Sequence, residues 1–244
     1  MRKVLGRLAQ EGMLEHAGGH SSTYRLVEVD STLIDPTSAD GASLDLKFPL
    51  QEETYVQLYP KNIAVIAGSP DAGKTAWMLN FVGLNMMKHE IHYFSSEMGA
   101  LELRNRLQNF DHPLSAWKCK WYDRAANWQD AIVPDAVNIV DYMEIHEEHY
   151  RVGSWIKAIF DKLTTGIAVI ALQKKKGEEY LAVGGNATLE KARLYISLDN
   201  KDKRNTATIV KAKGWVDHDK NPNGLKREYK LAKGCLFRCS TWWE

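Results

Sequence analysis

Three cysteines are all that the 244 residues contain, Cys119, Cys235 and Cys239. An odd number with one close pair supplies neither a disulfide framework nor the four ligands of a zinc site, so the thiols read as reduced bystanders. Long apolar runs are missing too. Nothing approaches the roughly 18 consecutive apolar residues of a membrane span. The N-terminal Met1-Arg2-Lys3 leads into Val4-Leu5-Gly6-Arg7 rather than a secretion signal. The expectation is a cytoplasmic protein. Internal repeats and low-complexity segments are absent, and 44% hydrophobic with 26% charged residues excludes disorder as the main state. The length suits one to two domains.

A net charge of +1 hides a segregation of sign along the chain. Residues 89–150 hold five Lys/Arg against eleven Asp/Glu, whereas residues 201–233 hold ten against four. The basic C-terminal third reads either as a polyanion surface or as a solvated charged face.

Val4, Leu5, Leu8, Met13 and Leu14 recur at near-helical spacing, with Gly12 as a stop. Residues 14–17, a glycine turn at 18–22 and residues 23–27 then read as strand, turn, strand. The run from Leu8 to Val27 resembles the end of many winged-helix DNA-binding domains, without the two helices that precede it in those domains. The expectation is a partial winged helix over 1–29, then a polar, turn-rich linker over 30–54, then one domain over 55–244. In that domain apolar runs of strand length (63–67, 91–94, 137–140, 167–172, 194–198, 206–211) alternate with helical stretches (74–88, 100–110, 152–164). The pattern predicts an α/β domain with a mainly parallel sheet covered on both faces.

Ile63 to Ala67 runs into Gly68-Ser69-Pro70-Asp71-Ala72-Gly73-Lys74-Thr75, and Ala76 onward continues as a helix. Strand, G-x-x-x-x-G-K-T, helix is the phosphate-binding P-loop in its required context. The glycines let the backbone curl so that N–H groups and a helix N-terminus face a phosphate. Lys74 supplies a point charge and the Thr75 hydroxyl a ligand for Mg²⁺. Gly68 to Ala76 is therefore the expected ATP cradle.

The next strand ends in Phe94-Ser95-Ser96-Glu97-Met98, followed by a helix containing Leu103, Arg104 and Leu107. This closely resembles the "FFSLEM…RL" segment of hexameric replicative helicases of the DnaB type and their RecA-like relatives. The resemblance implies a RecA-like ATPase acting on single-stranded DNA in replication or recombination, with Glu97 as the general base. Physically, a carboxylate ending a strand beside the P-loop strand would reach the γ-phosphate pocket. Val137 to Asp141 resembles the family's Walker-B strand, with Asp141 on Mg²⁺ and Asn138 interrupting the apolar run. Glu144 is the alternative base. Gln173, at the end of Ile167 to Leu172, matches a glutamine that senses the γ-phosphate.

Lys174-Lys175-Lys176 follow where the family binds single-stranded DNA, and three lysines in a glycine-bearing loop suit a phosphate backbone. Lys211 to Lys213 resembles the "KxR" strand that reaches a neighbouring subunit's ATP, with Lys213 replacing the arginine and losing its bidentate contact. No arginine is placed by motif beside Lys74, Glu97 and Asp141. The implied assembly is a homo-oligomer, ring or filament, with ATP at its interfaces. A recombination mediator and a DNA-tethered ATP-binding switch are the alternatives. The short spacing from Lys74 to Asp141 makes the chain look more like a phage or mobile-element ATPase than a cellular helicase. His146-Glu147-Glu148-His149 lacks metalloprotease spacing and reads as a polar helix start. Trp117, Trp121, Trp128, Trp242 and Trp243 read as packing.

Overall fold

The computed structural model describes residues 2–17, 23–27, 33–39, 41–143, 149–174, 179–201 and 204–243. They fall into two compact units, Met1–Gly41 and Ala42–Glu244. The first holds α1 (Arg2–Gln10) and the strands β1 (Leu14–His16) and β2 (Tyr24–Leu26), paired antiparallel with Leu14 opposite Leu26. The expected glycine turn at 18–22 lies outside the described residues. None of this unit's described residues is buried, in keeping with a piece too small to enclose a core.

The second unit is built on one nine-stranded sheet. Its strands are β3 (Ile63–Gly68), β4 (Ile91–Ser95), β5 (Lys120–Asp123), β6 (Val137–Asp141), β7 (Ile167–Gln173), β8 (Ala192–Lys201), β9 (Arg204–Ala212), β10 (Lys226–Ala232) and β11 (Leu236–Cys239). The order across the sheet is β11-β10-β9-β8-β3-β7-β6-β4-β5. Six neighbours from β8 to β5 run parallel, and β9, β10 and β11 add on antiparallel. The helices are α2 (Lys74–Asn85), α3 (Ala100–Leu107) and α4 (Val152–Lys162). Every residue of β3 is buried because both of its faces are covered. Ala64 and Ile66 pack with Trp77 and Phe81 of α2, while Ile63, Val65 and Ala67 pack with Ile156 and Ile159 of α4. This is the α/β architecture that continuous apolar strands dictate. Among the described residues no helix is long and apolar enough to cross a membrane.

Two details depart from the sequence reading. Residues 42–54 are not linker but part of the second unit. Leu46, Phe48 and Leu50, spaced two apart with Lys47 and Pro49 between them, are buried, and the Asn85 amide bonds both the N–H and the carbonyl of Lys47, at 2.9 and 2.7 Å. Strand β5 is an edge strand whose Lys-Trp-Tyr-Asp sequence has no apolar run to announce it. Asn138, the interruption in β6, is fully buried and has a structural reason. Its amide donates to the carbonyls of Val133, Ala136 and Ile167 and its oxygen accepts from the Val133 N–H, so it ties down the loop that enters the strand.

Within the same unit Glu52 is fully buried. Its carboxylate accepts from the Trp77 indole at 3.1 Å and the Leu50 N–H at 2.9 Å. Burial outweighs these bonds and pushes its pKa up to about 7. Between the unfolded value of 4.5 and 7 the native state therefore holds the extra proton. Stability is full below that window, falls as pH rises through it and levels off above. The loss amounts to about 3 kcal/mol at 1.36 kcal/mol per pH unit. Chemical denaturation from pH 4.5 to 8 should show this slope in the native sequence and not in Glu52→Gln; equal slopes in the two proteins would remove Glu52 as its source.

Candidate functional site

At the C-terminal edge of the parallel strands, β3 ends at Gly68 and the chain turns through Ser69 to Ala72. Gly73 then opens α2 in left-handed backbone, φ +89°. A Cβ on Gly68 would stand 2.7 Å from Cγ of Lys74, and one on Gly73 would stand 2.7 Å from Cδ1 of Leu231. A side chain at Gly68 would displace Lys74, and Gly73 needs left-handed backbone that a side chain rarely adopts. The first N–H groups of α2 have no intrahelical partner and open the helix directly from the loop, a position that suits an anion. The loop is also held from outside. The Tyr229 hydroxyl donates to the Ala72 carbonyl and the Asn200 N–H to the Ser69 hydroxyl at 3.3 Å, while in α2 the Asn80 amide donates to the Cys235 carbonyl at 2.6 Å.

A cavity of about 430 Å³ opens over this loop. Pro70, Asp71, Gly73, Lys74, Thr75 and Ala76 form one wall, and Glu97, Arg106, Tyr142, Gln173, Leu231 and Gly234 the rest. Of the expected cradle, Gly68, Ser69 and Ala72 shape the loop from behind rather than lining the cavity. The Lys74 ammonium donates to the Gly68 and Ser69 carbonyls, at 3.1 Å each. Burial lowers its pKa, and Asp141, Glu97 and Asp71 oppose that effect. Asp141 is buried behind Thr75, whose hydroxyl donates to Oδ1 at 3.3 Å, while the Tyr93 hydroxyl donates to Oδ2. Burial raises the Asp141 pKa against the help of Tyr93, Thr75 and Lys74, and Glu97 raises it further. Tyr93 is itself pushed well above its ordinary value by burial and by Asp141, so it stays a neutral donor. A hydroxyl beside a buried carboxylate is an oxygen pair of the hardness Mg²⁺ selects, and the chemistry of Thr75 and Asp141 fits that ion.

Glu97 is exposed at the cavity mouth, but not for the reason expected. Its strand β4 is not beside β3, because β7 and β6 intervene. The carboxylate reaches the cavity because the chain bends over the end of β6: the Ser96 N–H donates to the Asp141 carbonyl at 3.1 Å and the Ser96 hydroxyl to the Tyr142 carbonyl at 2.9 Å. Gln173 lies directly opposite Gly68 at the end of β7. Glu144 and residues 146–148 lie outside the described residues.

Lys174 does not belong to a DNA-contacting loop. Its side chain is 1% exposed, and its ammonium bonds both oxygens of Asp199, at 2.6 and 2.7 Å, and the Ser197 hydroxyl at 2.9 Å. A phosphate backbone cannot reach a cation so enclosed. Lys175 and Lys176 lie outside the described residues. Lys213 is exposed one residue past β9. Ala212 pairs with Leu194 and Leu194 with Ala64, at the start of β3. Lys213 therefore projects from the sheet edge opposite its own P-loop, separated by four residues of strand or roughly 13 Å. It stands apart from the side chains gathered around its own P-loop.

Sequence reasoning missed one cation. Arg106 of α3 lines the cavity and is held by Glu102 one turn earlier, at 2.8 and 3.1 Å. Its i,i+4 acidic partner was legible; that α3 turns this face to the cavity was not. The three cysteines are free thiols. Among the described residues no cluster of three or more His, Cys, Asp or Glu is placed to hold a metal.

No protein-family model matches the chain and no curated protein matches it. Among solved structures it is similar to the crystal structure of a KaiC-like protein from the hyperthermophilic archaeon Pyrococcus horikoshii OT3. The TM-score is 0.64 and the identity 14%, over 82% of this chain and 99% of that one. At that identity the likeness shows the fold, a RecA-like α/β domain. The 601 solved chains that match in all show a fold too widely used to select one reaction.

The buried pair makes a measurable claim. Lys174→Met leaves Asp199 uncompensated in a site where its side chain is 15% exposed, so unfolding free energy should fall by about 3 kcal/mol. Adding Asp199→Asn should recover much of that loss, because the stranded charge is then gone. A Lys174→Met protein as stable as the native one would show that the pair contributes nothing to the fold.

Proposed function

We propose that the chain is an ATP hydrolase of RecA type that acts on single-stranded DNA in replication or recombination, as a helicase or translocase. The observation that carries this reading is the convergence of Lys74, Thr75, Glu97 and Gln173 on one cavity, with Asp141 immediately behind Thr75. Four separate strand ends contribute those five side chains.

In this reading the loop from Gly68 to Ala76 cradles the phosphates of ATP, and Lys74 exchanges its loop carbonyls for phosphate oxygens. Thr75 and Asp141 would hold Mg²⁺, which would supply charge neutralisation to the phosphates. Glu97 accepts a proton from water as the water oxygen bonds to the γ-phosphorus and the bond to the leaving ADP oxygen breaks. Gln173 hydrogen-bonds the γ-phosphate. Arg106 supplies charge from the same chain and Lys213 from a neighbour, so the working form is a homo-oligomer. The basic segment 201–233, with Lys175 and Lys176, supports the DNA partner by charge. The first unit is read as the end of a winged helix.

Three variants separate these roles. Glu97→Gln should keep ATP affinity and lose about two or more orders of magnitude in turnover, whereas Lys74→Ala should lose affinity. Arg106→Ala should lower turnover more than affinity. Near-native turnover in Glu97→Gln would transfer the base to Glu144. For the shared site, specific activity should rise with protein concentration, and mixing Lys74→Ala with Lys213→Ala protein should restore part of the activity. Flat activity with no rescue on mixing would favour a nucleotide-binding switch.

A further inference from the structure

The antiparallel extension of the sheet has two unlike faces. On one, Tyr229 of β10 is buried in the core beneath α2, and Arg227 donates to the carbonyls of Leu50 and Ser240. On the other, the apolar cluster beneath α4 ends at Tyr195 of β8 and Val210 of β9. Beyond it the alternation along β10 turns Lys226, Glu228 and Lys230 outward together. Lys230 stands opposite Arg238 of β11. Tyr229 stands opposite Asn205, so the next position brings Lys230 beside Arg204 of β9. Three cations thus form a row across three strands at the strand spacing of about 4.8 Å. They line a groove of about 320 Å³ in which Glu228, 3.9 Å from Arg204, is the only acid among the described residues.

The same face carries aromatic surface. Lys226 and Trp243 exchange main-chain hydrogen bonds of 2.6 and 2.8 Å, and residues paired in that way share a face. Trp243, expected from the sequence to be packing, is 39% exposed. Trp242 next to it packs edge-on to Tyr55 and donates its indole N–H to the Leu50 carbonyl at 3.0 Å. The Tyr180 ring lies 6.0 Å from the Lys226 ammonium. Four residues of strand, about 13 Å, separate this aromatic end from the cationic row.

We propose that this face of β9, β10 and β11 is a binding surface for single-stranded DNA, with Arg204, Lys230 and Arg238 on successive phosphates and Trp243 as a stacking platform. The inference rests on the DNA reading above and gives it a site other than the loop that begins at Lys174. A single strand is favoured over a duplex because an exposed indole needs an unstacked base, and any base offers a π-face to it. The cationic row follows the backbone without selecting sequence.

The test uses the full chain and a labelled oligothymidylate, with fluorescence anisotropy read across a salt series. The native sequence should give a log–log affinity slope of about −2 for three phosphates of a single strand. The combined Arg204→Ala, Lys230→Ala, Arg238→Ala variant should bind more weakly and lose most of that slope. Trp243→Ala should lose about fivefold or more in affinity with its slope kept, and Trp243→Phe should retain most of the affinity. Circular dichroism checks each fold. If the triple variant unfolds, Arg238→Gln alone, at an exposed edge position, should still flatten the slope by about 0.7. Affinity and slope unchanged in these variants overturn the surface; loss of binding in Lys175→Ala, Lys176→Ala would then keep the DNA reading and return it to the loop. A native chain that hydrolyses ATP and binds no oligothymidylate overturns both the partner and the surface.

Discussion

Parallel pairing of β3 with β7 and β8 is the constraint from which the site follows. It brings Gly68, Gln173 and Leu198 level at one edge of the sheet, so the loop after β3 and the side chain ending β7 meet without any long connection. Burial of β3 on both faces fixes that register, since a slip of one residue would turn each apolar side chain to the wrong layer. The three antiparallel strands extend the same sheet past β8 and carry their C-terminal hairpin back against the loop. One architectural decision, made by apolar runs, places most of the polar chemistry.

Two groupings of charge then do opposite things. Lys74 and Asp141 lie close enough to support each other, and each is opposed by burial. Their surroundings are only partly satisfied: Lys74 rests on two carbonyls, and Asp141 accepts from Tyr93 and Thr75. Such a pair gains by receiving a ligand of complementary charge. Lys174 and Asp199 are closed off, with Ser197 and the Glu179 carbonyl completing the ammonium's bonds. That pair holds the strand end beside Gln173 in place and offers nothing to a ligand.

Much of this could be read from the residues. The P-loop was legible because the contact of Gly68 with Lys74 and the left-handed backbone of Gly73 are demands local in sequence, and β3, β4, β6 and β7 because buried parallel strands are apolar runs. Asp141 and Gln173 followed as the polar residues ending such runs. What escaped was set by distant partners. Lys174 looks like its neighbours in a lysine run, and only Asp199, 25 residues on, makes it structural. Arg106 faces the cavity because of how α3 lies, which no periodicity specifies. The adjacency assumed for β4 failed because strand order is a matter of topology, and the bend at Ser96 supplied the reach that adjacency did not. Leu46, Phe48 and Leu50 were hidden by the Lys47 and Pro49 between them.

The grip on the P-loop by Tyr229 and Leu231, and on α2 by the carbonyl of Cys235, has a consequence for fragments of this sequence. The contacts from Tyr229 to Ala72 and from Asn80 to Cys235 span 157 and 155 residues. A chain ending near residue 225 would retain every motif that marks it as a nucleotide-binding protein while losing the groups that set the loop's shape. Completeness of the motif and completeness of the working loop are therefore separate properties here, and sequence comparison detects only the first.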